Sequence, residues 1–348
     1  MRAMILAAGY GTRLWPLTID RAKPSIPFMG RPLVGFVAEY LASHGFRDIV
    51  VNLHHRPESI RAALGDGTRF GVRFHYVSEP AILGTGGALD NARALLDGDA
   101  FVVVNGKIAT DINLDAALET HRRTRALATL VLRANVERER YSTVQVEGGL
   151  VKGFGSSPTS DNAGNAFSVA EKEKAPVVGS APREGVGESA PLMFTGIQIL
   201  DPRIFEFIPR GVFSHTVTDV YVPAIARGEA IAAHVAEGYW HELSTVRRYL
   251  ETSVALLKRE GRDVEVGEGS VIEEGAEVFE SVLWEDVRVD ARARVRRAVL
   301  GAGVRVGAGE VFEDVAVVRA ELARGVERPP KGLVGEFRGS NFVAPIPE

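Results

Sequence analysis

Residues 4–17 read Met4-Ile5-Leu6-Ala7-Ala8-Gly9-Tyr10-Gly11-Thr12-Arg13-Leu14-Trp15-Pro16-Leu17, and Lys23-Pro24 follows. The apolar run ending at Leu6 has the form of a buried strand. It opens into small residues, then an arginine. Few bulky side chains stand in the way, so backbone N–H groups of such a loop can approach a phosphate chain closely. Arg13 can fork onto phosphate oxygens, and Lys23 supplies a second cation. The stretch is therefore expected to hold the triphosphate of a nucleotide, with Leu6, Ala7, Ala8, Gly9, Gly11, Thr12 and Arg13 as its lining. A plain glycine turn after a first strand is the alternative.

Outward from this loop, short apolar runs at residues 3–6, 49–53, 72–77, 100–104 and 129–132 alternate with helical patterns at 33–44, 57–64, 86–96 and 114–123. That rhythm predicts βαβ units: a Rossmann-like α/β fold with a mixed, mostly parallel sheet and helices on both faces. Ligands of such sheets sit beyond the C-terminal strand ends. The first loop, the turn after Val77 and the turn after Val104 all fall on that rim. Gly65-Asp66-Gly67-Thr68-Arg69-Phe70-Gly71 reads as a tight turn before the third strand. Gly148-Gly149 marks a hairpin, and Val217-Thr218-Asp219 starts a helix with Thr218 as its cap. A helix over residues 245–260 closes a first domain, residues 1–260. Within it, residues 155–190 are rich in Gly, Ser, Ala and Pro and read as a surface-loop insertion.

From Val264 the pattern changes. Aliphatic residues recur every six positions with Gly or Ala between them, as at Val266, Ile272 and Val278. This is the mark of a left-handed parallel β-helix, expected over residues 261–328 with one irregular coil near 281–287. No histidine follows His241, so a second, acyl-transferring centre in that region is not expected; assembly as a homo-oligomer or regulation is. Residues 329–348 are expected to form an irregular arm.

At 348 residues, 45% hydrophobic and 25% charged, the chain has the composition of a globular protein of two units. A net charge of −4 argues against a nucleic-acid partner. The absence of cysteine excludes disulfides, cysteine-based zinc sites and thiol nucleophiles. The strand-like N-terminus and the lack of a long apolar run point away from a membrane and toward the cytoplasm.

The run LAAGYGTRLWPLT, with AKPSIPFMGRPLV, resembles the signature of the sugar-1-phosphate nucleotidylyltransferases, nearest to the mannose-1-phosphate guanylyltransferase and N-acetylmuramate-1-phosphate uridylyltransferase branches. The resemblance implies substrates (a nucleoside triphosphate and a sugar 1-phosphate), Mg²⁺ as cofactor, and Arg13 and Lys23 as catalytic cations. It places Glu79 and the Gly84-Thr85-Gly86 turn against the nucleobase and ribose. Asn105, Gly106, Lys107, Thr195 and Gly196 would line the sugar-phosphate pocket. Two departures matter. Lys107 stands where the family carries a metal-binding aspartate, and Ser156-Ser157-Pro158 stands where many members have a Glu-Lys-Pro whose lysine holds the sugar phosphate. Glu242 occupies the place of the second metal-binding aspartate, and Asp111 is a substitute ligand or a turn carboxylate. Guanosine triphosphate with mannose 1-phosphate is the leading substrate pair. A catalytically impaired, regulatory homologue is the alternative.

Overall fold

The computed structural model describes residues 1–136, 139, 141–155 and 190–347. In chain order the first unit contains the strands β1 (Ala3–Leu6), β2 (Pro27–Phe28), β3 (Arg31–Pro32), β4 (Asp48–Leu53), β5 (Arg73–Ser78), β6 (Phe101–Asn105) and β7 (Ile108–Thr110). They are followed by β8 (Ala128–Ala134), β9 (Val144–Glu147), β10 (Leu150–Phe154), β11 (Leu192–Leu200), β12 (Ile231–Val235) and β13 (Trp240–Glu242). Its helices are α1 (Leu33–Ser43), α2 (Pro57–Leu64), α3 (Gly84–Asn91), α4 (Arg93–Leu96), α5 (Leu114–Thr124), α6 (Val222–Ala226) and α7 (Val246–Arg259). Nine strands form one sheet in the order β5-β4-β1-β6-β11-β8-β12-β10-β9. The first four are mutually parallel, β11 runs against both of its neighbours, and β9 and β10 form the expected hairpin.

Side chains of a strand alternate between faces, so the fully apolar strands need cover on both. Ala3, Ile5, Ile49 and Val51 pack beneath Val34, Leu41, Ile60 and Leu114 of α1, α2 and α5. Met4, Val50, Val103 and Leu130 pack on the other face with Leu89, Leu96 and Ala224 of α3, α4 and α6. The alternation of strand and helix thus gives the layered architecture it predicts. One local expectation differs. Residues Thr216–Tyr221 form a π-helical turn, and Thr218 does not cap it; the carboxylate of Asp219 accepts the His215 N–H at 2.7 Å instead. Among the described residues no helix is long and apolar enough to cross a membrane. The expected insertion, and with it Ser156-Ser157-Pro158, lies outside the described residues save for Gly155 and Ala190.

The C-terminal unit is a parallel β-helix with three sheet faces. Glu265 pairs with Val282, Val282 with Val299 and Val299 with Ala316, a step of 17 residues each time. The inward apolar positions therefore advance by six, six and five: Leu283, Val289 and Val295, then Leu300, Val306 and Phe312, all buried. The irregularity expected in one coil near 281–287 belongs to every coil, because one side of each turn is a residue short. All three corners use left-handed backbone at the same period: Gly269, Asp286 and Gly303; Gly275, Arg292 and Gly309; Glu280, Arg297 and Asp314.

Residues 329–348 are not an irregular arm throughout. Glu336–Arg338 and Asn341–Pro345 form a hairpin whose second strand pairs antiparallel with Val315–Arg319 and buries Phe342, Val343 and Ala344. This strand satisfies the edge that the last coil would otherwise present to solvent.

The two units share one core. Leu14, Trp15, Leu17, Ile26 and Phe28, from the segment after the first loop, pack with α7 and with Val282, Trp284, Val299 and Phe342 of the second unit. Trp284 Nε1 donates to the Tyr249 hydroxyl at 3.0 Å, which donates to Pro27 O. The Glu265 carboxylate accepts the N–H groups of Met29 (3.2 Å) and Gly30 (2.5 Å).

Candidate functional site

The loop after β1 turns at Gly11, whose φ is +66°. A Cβ there would lie 2.7 Å from Lys23 Cβ, so glycine is needed for the conformation and for the close passage of the lysine segment. Thr12–Leu14 closes as a single 3₁₀ turn. Lys23 opens a second such turn, Lys23–Ser25, with Pro24 setting its φ. Ala22 N donates to the Ser59 hydroxyl of α2 at 2.9 Å. Leu14, Leu17 and Ile26 on either side are fully buried. Lys23 is thus carried on a stiff segment and is itself only 9% exposed, whereas Arg13 is exposed.

The C-terminal end of β6 lies beside that of β1, in register Leu6 with Asn105. Gly106 follows, its N–H on Leu6 O at 3.0 Å; a Cβ would meet Ile5 and the Leu6 carbonyl at 2.9 Å. This close approach sets Lys107 at the rim. Strand β7 pairs with β13, Ile108 opposite Glu242, and Leu243 N donates to Lys107 O at 2.8 Å. The Lys107 ammonium pairs with Glu242 Oε1, while the Tyr141 hydroxyl donates to Oε2 at 3.1 Å. Arg248 in turn holds the Tyr141 hydroxyl and pairs with Glu139 at 3.0 Å.

Burial alone would raise the Glu242 carboxyl, but the charge and hydrogen bond of Lys107, with Lys23 and Arg13 behind, bring it down to about 2. Burial pushes the Lys23 amine well below the ordinary lysine range; the positive charges of Lys107 and Arg13 add to this, and Glu242 opposes it. Among the described residues, three cations and one carboxylate therefore share the rim. An anion is what such a cluster lacks.

The second loop is tied to the first by a relay that the sequence reading missed. Asn52 Oδ1 accepts the Ala7 N–H at 2.7 Å, Asn52 Nδ2 donates to Glu79 Oε1 at 2.6 Å, and Glu79 Oε2 accepts the Leu83 N–H at 3.1 Å. Both side chains are buried. The signal was a single polar residue near the C-terminal end of the run Ile49-Val50-Val51-Asn52-Leu53. Glu79 thus acts within the protein, setting the spacing of the two loops. The glycines after it have a structural reason as well. The N–H of Gly86 donates to Ser214 O at 2.8 Å, and Cβ atoms at Gly84 and Gly86 would collide with Ser214 at 2.4 and 2.7 Å. The Thr85 hydroxyl accepts the Thr216 N–H at 2.9 Å.

Thr195 and Gly196 are likewise engaged. The Thr195 hydroxyl donates to Val131 O at 2.7 Å, and its carbonyl accepts Trp240 Nε1 at 2.9 Å. Gly196, with φ +80°, leaves the space that the Asn105 amide fills. Asp111 is not brought to Glu242. It follows β7 at the end away from Lys107, and its carboxylate accepts the Tyr239 N–H at 2.6 Å, the turn role among the two readings. Among the described residues no three His, Asp or Glu side chains gather to hold a metal. With one carboxylate among the described residues, both of whose oxygens are already partnered, the rim they form does not fit Mg²⁺, which takes oxygen ligands in near-octahedral array.

The sequence profile of the Nucleotidyl transferase family matches residues 2–259, and that of the GlmU-like C-terminal hexapeptide matches residues 257–336. The chain is 32% identical over 277 residues to the UTP–glucose-1-phosphate uridylyltransferase of Synechocystis sp., covering 76% of this chain and 66% of that protein. It is 27% identical over 323 residues to the mannose-1-phosphate guanylyltransferase of Mycobacterium tuberculosis, covering 89% of this chain and 82% of that protein. In fold it is similar to the crystal structure of a putative glucose-1-phosphate thymidylyltransferase from Bacillus anthracis, with a TM-score of 0.57 and 22% identity over 77% of this chain and 98% of that one. A layered sheet with its glycine loop and cation rim, followed by a hexapeptide coil, matches these profiles along most of its length, and the chain belongs to the sugar-1-phosphate nucleotidyltransferase family of enzymes.

Proposed function

We propose that this protein transfers a nucleotidyl group from a nucleoside triphosphate to a sugar 1-phosphate, giving a nucleotide sugar and pyrophosphate. The observation that carries the reading is the gathering of Arg13 and Lys23, on the two turns after β1, with Lys107, just past the adjacent end of β6, around the one carboxylate of Glu242 among the described residues. In the reaction, an oxygen of the sugar phosphate attacks the α-phosphorus in line, and the bond from that phosphorus to the pyrophosphate oxygen breaks. Such chemistry is mostly positioning and charge neutralisation. Arg13 and the loop N–H groups hold the leaving β- and γ-phosphates. Lys23, fixed beneath them, neutralises charge at the α-phosphoryl group. No covalent intermediate is required.

Guanosine triphosphate with mannose 1-phosphate is the leading pair, supported by the relative from Mycobacterium tuberculosis, whose alignment covers most of this chain. Uridine triphosphate with glucose 1-phosphate comes next, on the Synechocystis relative. A pyrophosphate-release assay over a matrix of nucleoside triphosphates and sugar 1-phosphates tests the proposal. Turnover with one pair supports it. Binding of nucleotide sugar without turnover by any pair replaces it with the regulatory reading, which Lys107 and Ser156-Ser157-Pro158, in place of the family's Glu-Lys-Pro, favour.

A further inference from the structure

Building on the nucleotide-binding reading, we infer that Lys107, held by Glu242, takes the place of a divalent cation, so that the site binds nucleotide phosphates without metal. Three observations carry this. First, among the described residues the one acidic side chain facing the cations of the rim is Glu242, and its two oxygens are taken by the Lys107 ammonium and the Tyr141 hydroxyl. A metal ion entering here would have to break both contacts and then sit against an ammonium group. Second, the arrangement is braced from outside. Arg248 bonds the Tyr141 hydroxyl and pairs with Glu139, so Glu242 is held in one orientation and aims Lys107. Third, Lys107 lies at the end of β6 next to β1, within electrostatic reach of Lys23 and on the same rim as the loop expected to hold the phosphates. A lysine ammonium is a compact point charge with three donors, suited to phosphate oxygens approached from several directions. Its side chain is about one-third exposed, so it can turn toward a ligand while keeping Glu242. Glu242 is in this account a positioning residue, and its negative charge keeps the empty cluster from carrying three uncompensated cations.

The test is nucleotide affinity measured by calorimetry on the full chain with GTP, UTP and GDP-mannose, in EDTA and in excess Mg²⁺. The expected result is binding in EDTA within about threefold of that in Mg²⁺, below what one lost charged contact would produce. Mg²⁺ tightening the binding by more than that overturns the inference and leaves the proposed function standing. Absence of binding by all three probes in both conditions overturns the proposed function, and this inference with it. Electron paramagnetic resonance of Mn²⁺ gives a second readout. The unliganded protein is expected to leave Mn²⁺ free; a bound signal that disappears in Glu242→Gln overturns the inference. Lys107→Met should lose about tenfold or more in affinity for GTP or UTP, whichever binds, with Lys107→Arg restoring part of it. Unchanged affinity in a folded Lys107→Met protein overturns the role given to the ammonium.

Discussion

Replacing Gly11 by alanine places a methyl carbon 2.7 Å from Lys23 Cβ on a backbone held at φ +66°. The left-handed conformation costs an L-residue roughly 1–2 kcal/mol. Forcing a carbon into a packed contact adds about 1–3 kcal/mol, and the stiffer unfolded chain returns only about 0.4–1 kcal/mol. The expected net loss is roughly 2–4 kcal/mol. Relief by movement is limited, because Leu14, Leu17 and Ile26 lock the lysine segment into the shared core. Where movement does occur it displaces Lys23, so nucleotide affinity falls together with stability. Gly9 is the internal control for stability, since a Cβ there meets no protein atom within 4 Å. Urea unfolding followed by the fluorescence of the buried Trp15, Trp240 and Trp284, alongside nucleotide calorimetry, reads both effects. If Gly11→Ala unfolds at the wild-type midpoint with unchanged affinity, or Gly9→Ala lowers the unfolding midpoint equally, the account of this loop is wrong.

Asn52→Ala leaves the Ala7 N–H and one Glu79 oxygen without partners in a buried place, which costs about 1–3 kcal/mol, and it uncouples the two loops; nucleotide binding at wild-type strength in this variant would contradict the relay. Trp284→Ala, in the second unit, should destabilise the chain by about 3–5 kcal/mol and remove the N–H that the Tyr249 hydroxyl accepts, with unfolding of both units still read as one transition; early loss of the second unit alone would show that the common core does not couple them. The Lys23 amine titrates lower in the folded chain than in the unfolded one, so stability should rise with pH across the window that ends near its ordinary 10.5. A bound phosphate raises that amine again, so nucleotide binding at alkaline pH should take up a proton, seen as a buffer-dependent heat; its absence would argue against Lys23 touching phosphate. Glu242 works in the opposite sense: its stabilisation is complete above about pH 4.5 and is lost as pH falls toward about 2, and Glu242→Gln should remove that acid-side slope.

Strands β1, β4, β5, β6 and β8 and helices α1, α2, α5 and α7 could be read from the sequence because each leaves a local pattern, an apolar run or a helical stripe, within a few residues; the short strands β2, β3, β7 and β13 leave none. The glycine loop after β1 could be read for the same reason. The partnership of Lys107 with Glu242 could not, since it joins residues far apart in the chain through the pairing of two very short strands. Gly84, Gly86 and Gly196 stood out as residues expected beside a ligand, but the sequence does not show which protein groups crowd them: Ser214 in one case and the Asn105 amide in the other. Asp111 and Thr195 illustrate the same limit, because a polar side chain near a site does not reveal whether a main-chain group already holds it. The closing hairpin was hidden by its prolines, which flank the strand Asn341–Pro345 and end it without entering its paired interior.

The coil of the second unit carries a consequence for length change. Its three sides return to the same column only after 17 residues, and ion pairs such as Arg297 with Asp314 at 2.7 Å bridge one storey to the next. Removing or duplicating a block of that size would splice the tower back in phase, with every inward aliphatic above its counterpart. A block of eighteen, the multiple of six suggested by the sequence motif, would rotate all later storeys by one position and turn their greasy sides to water.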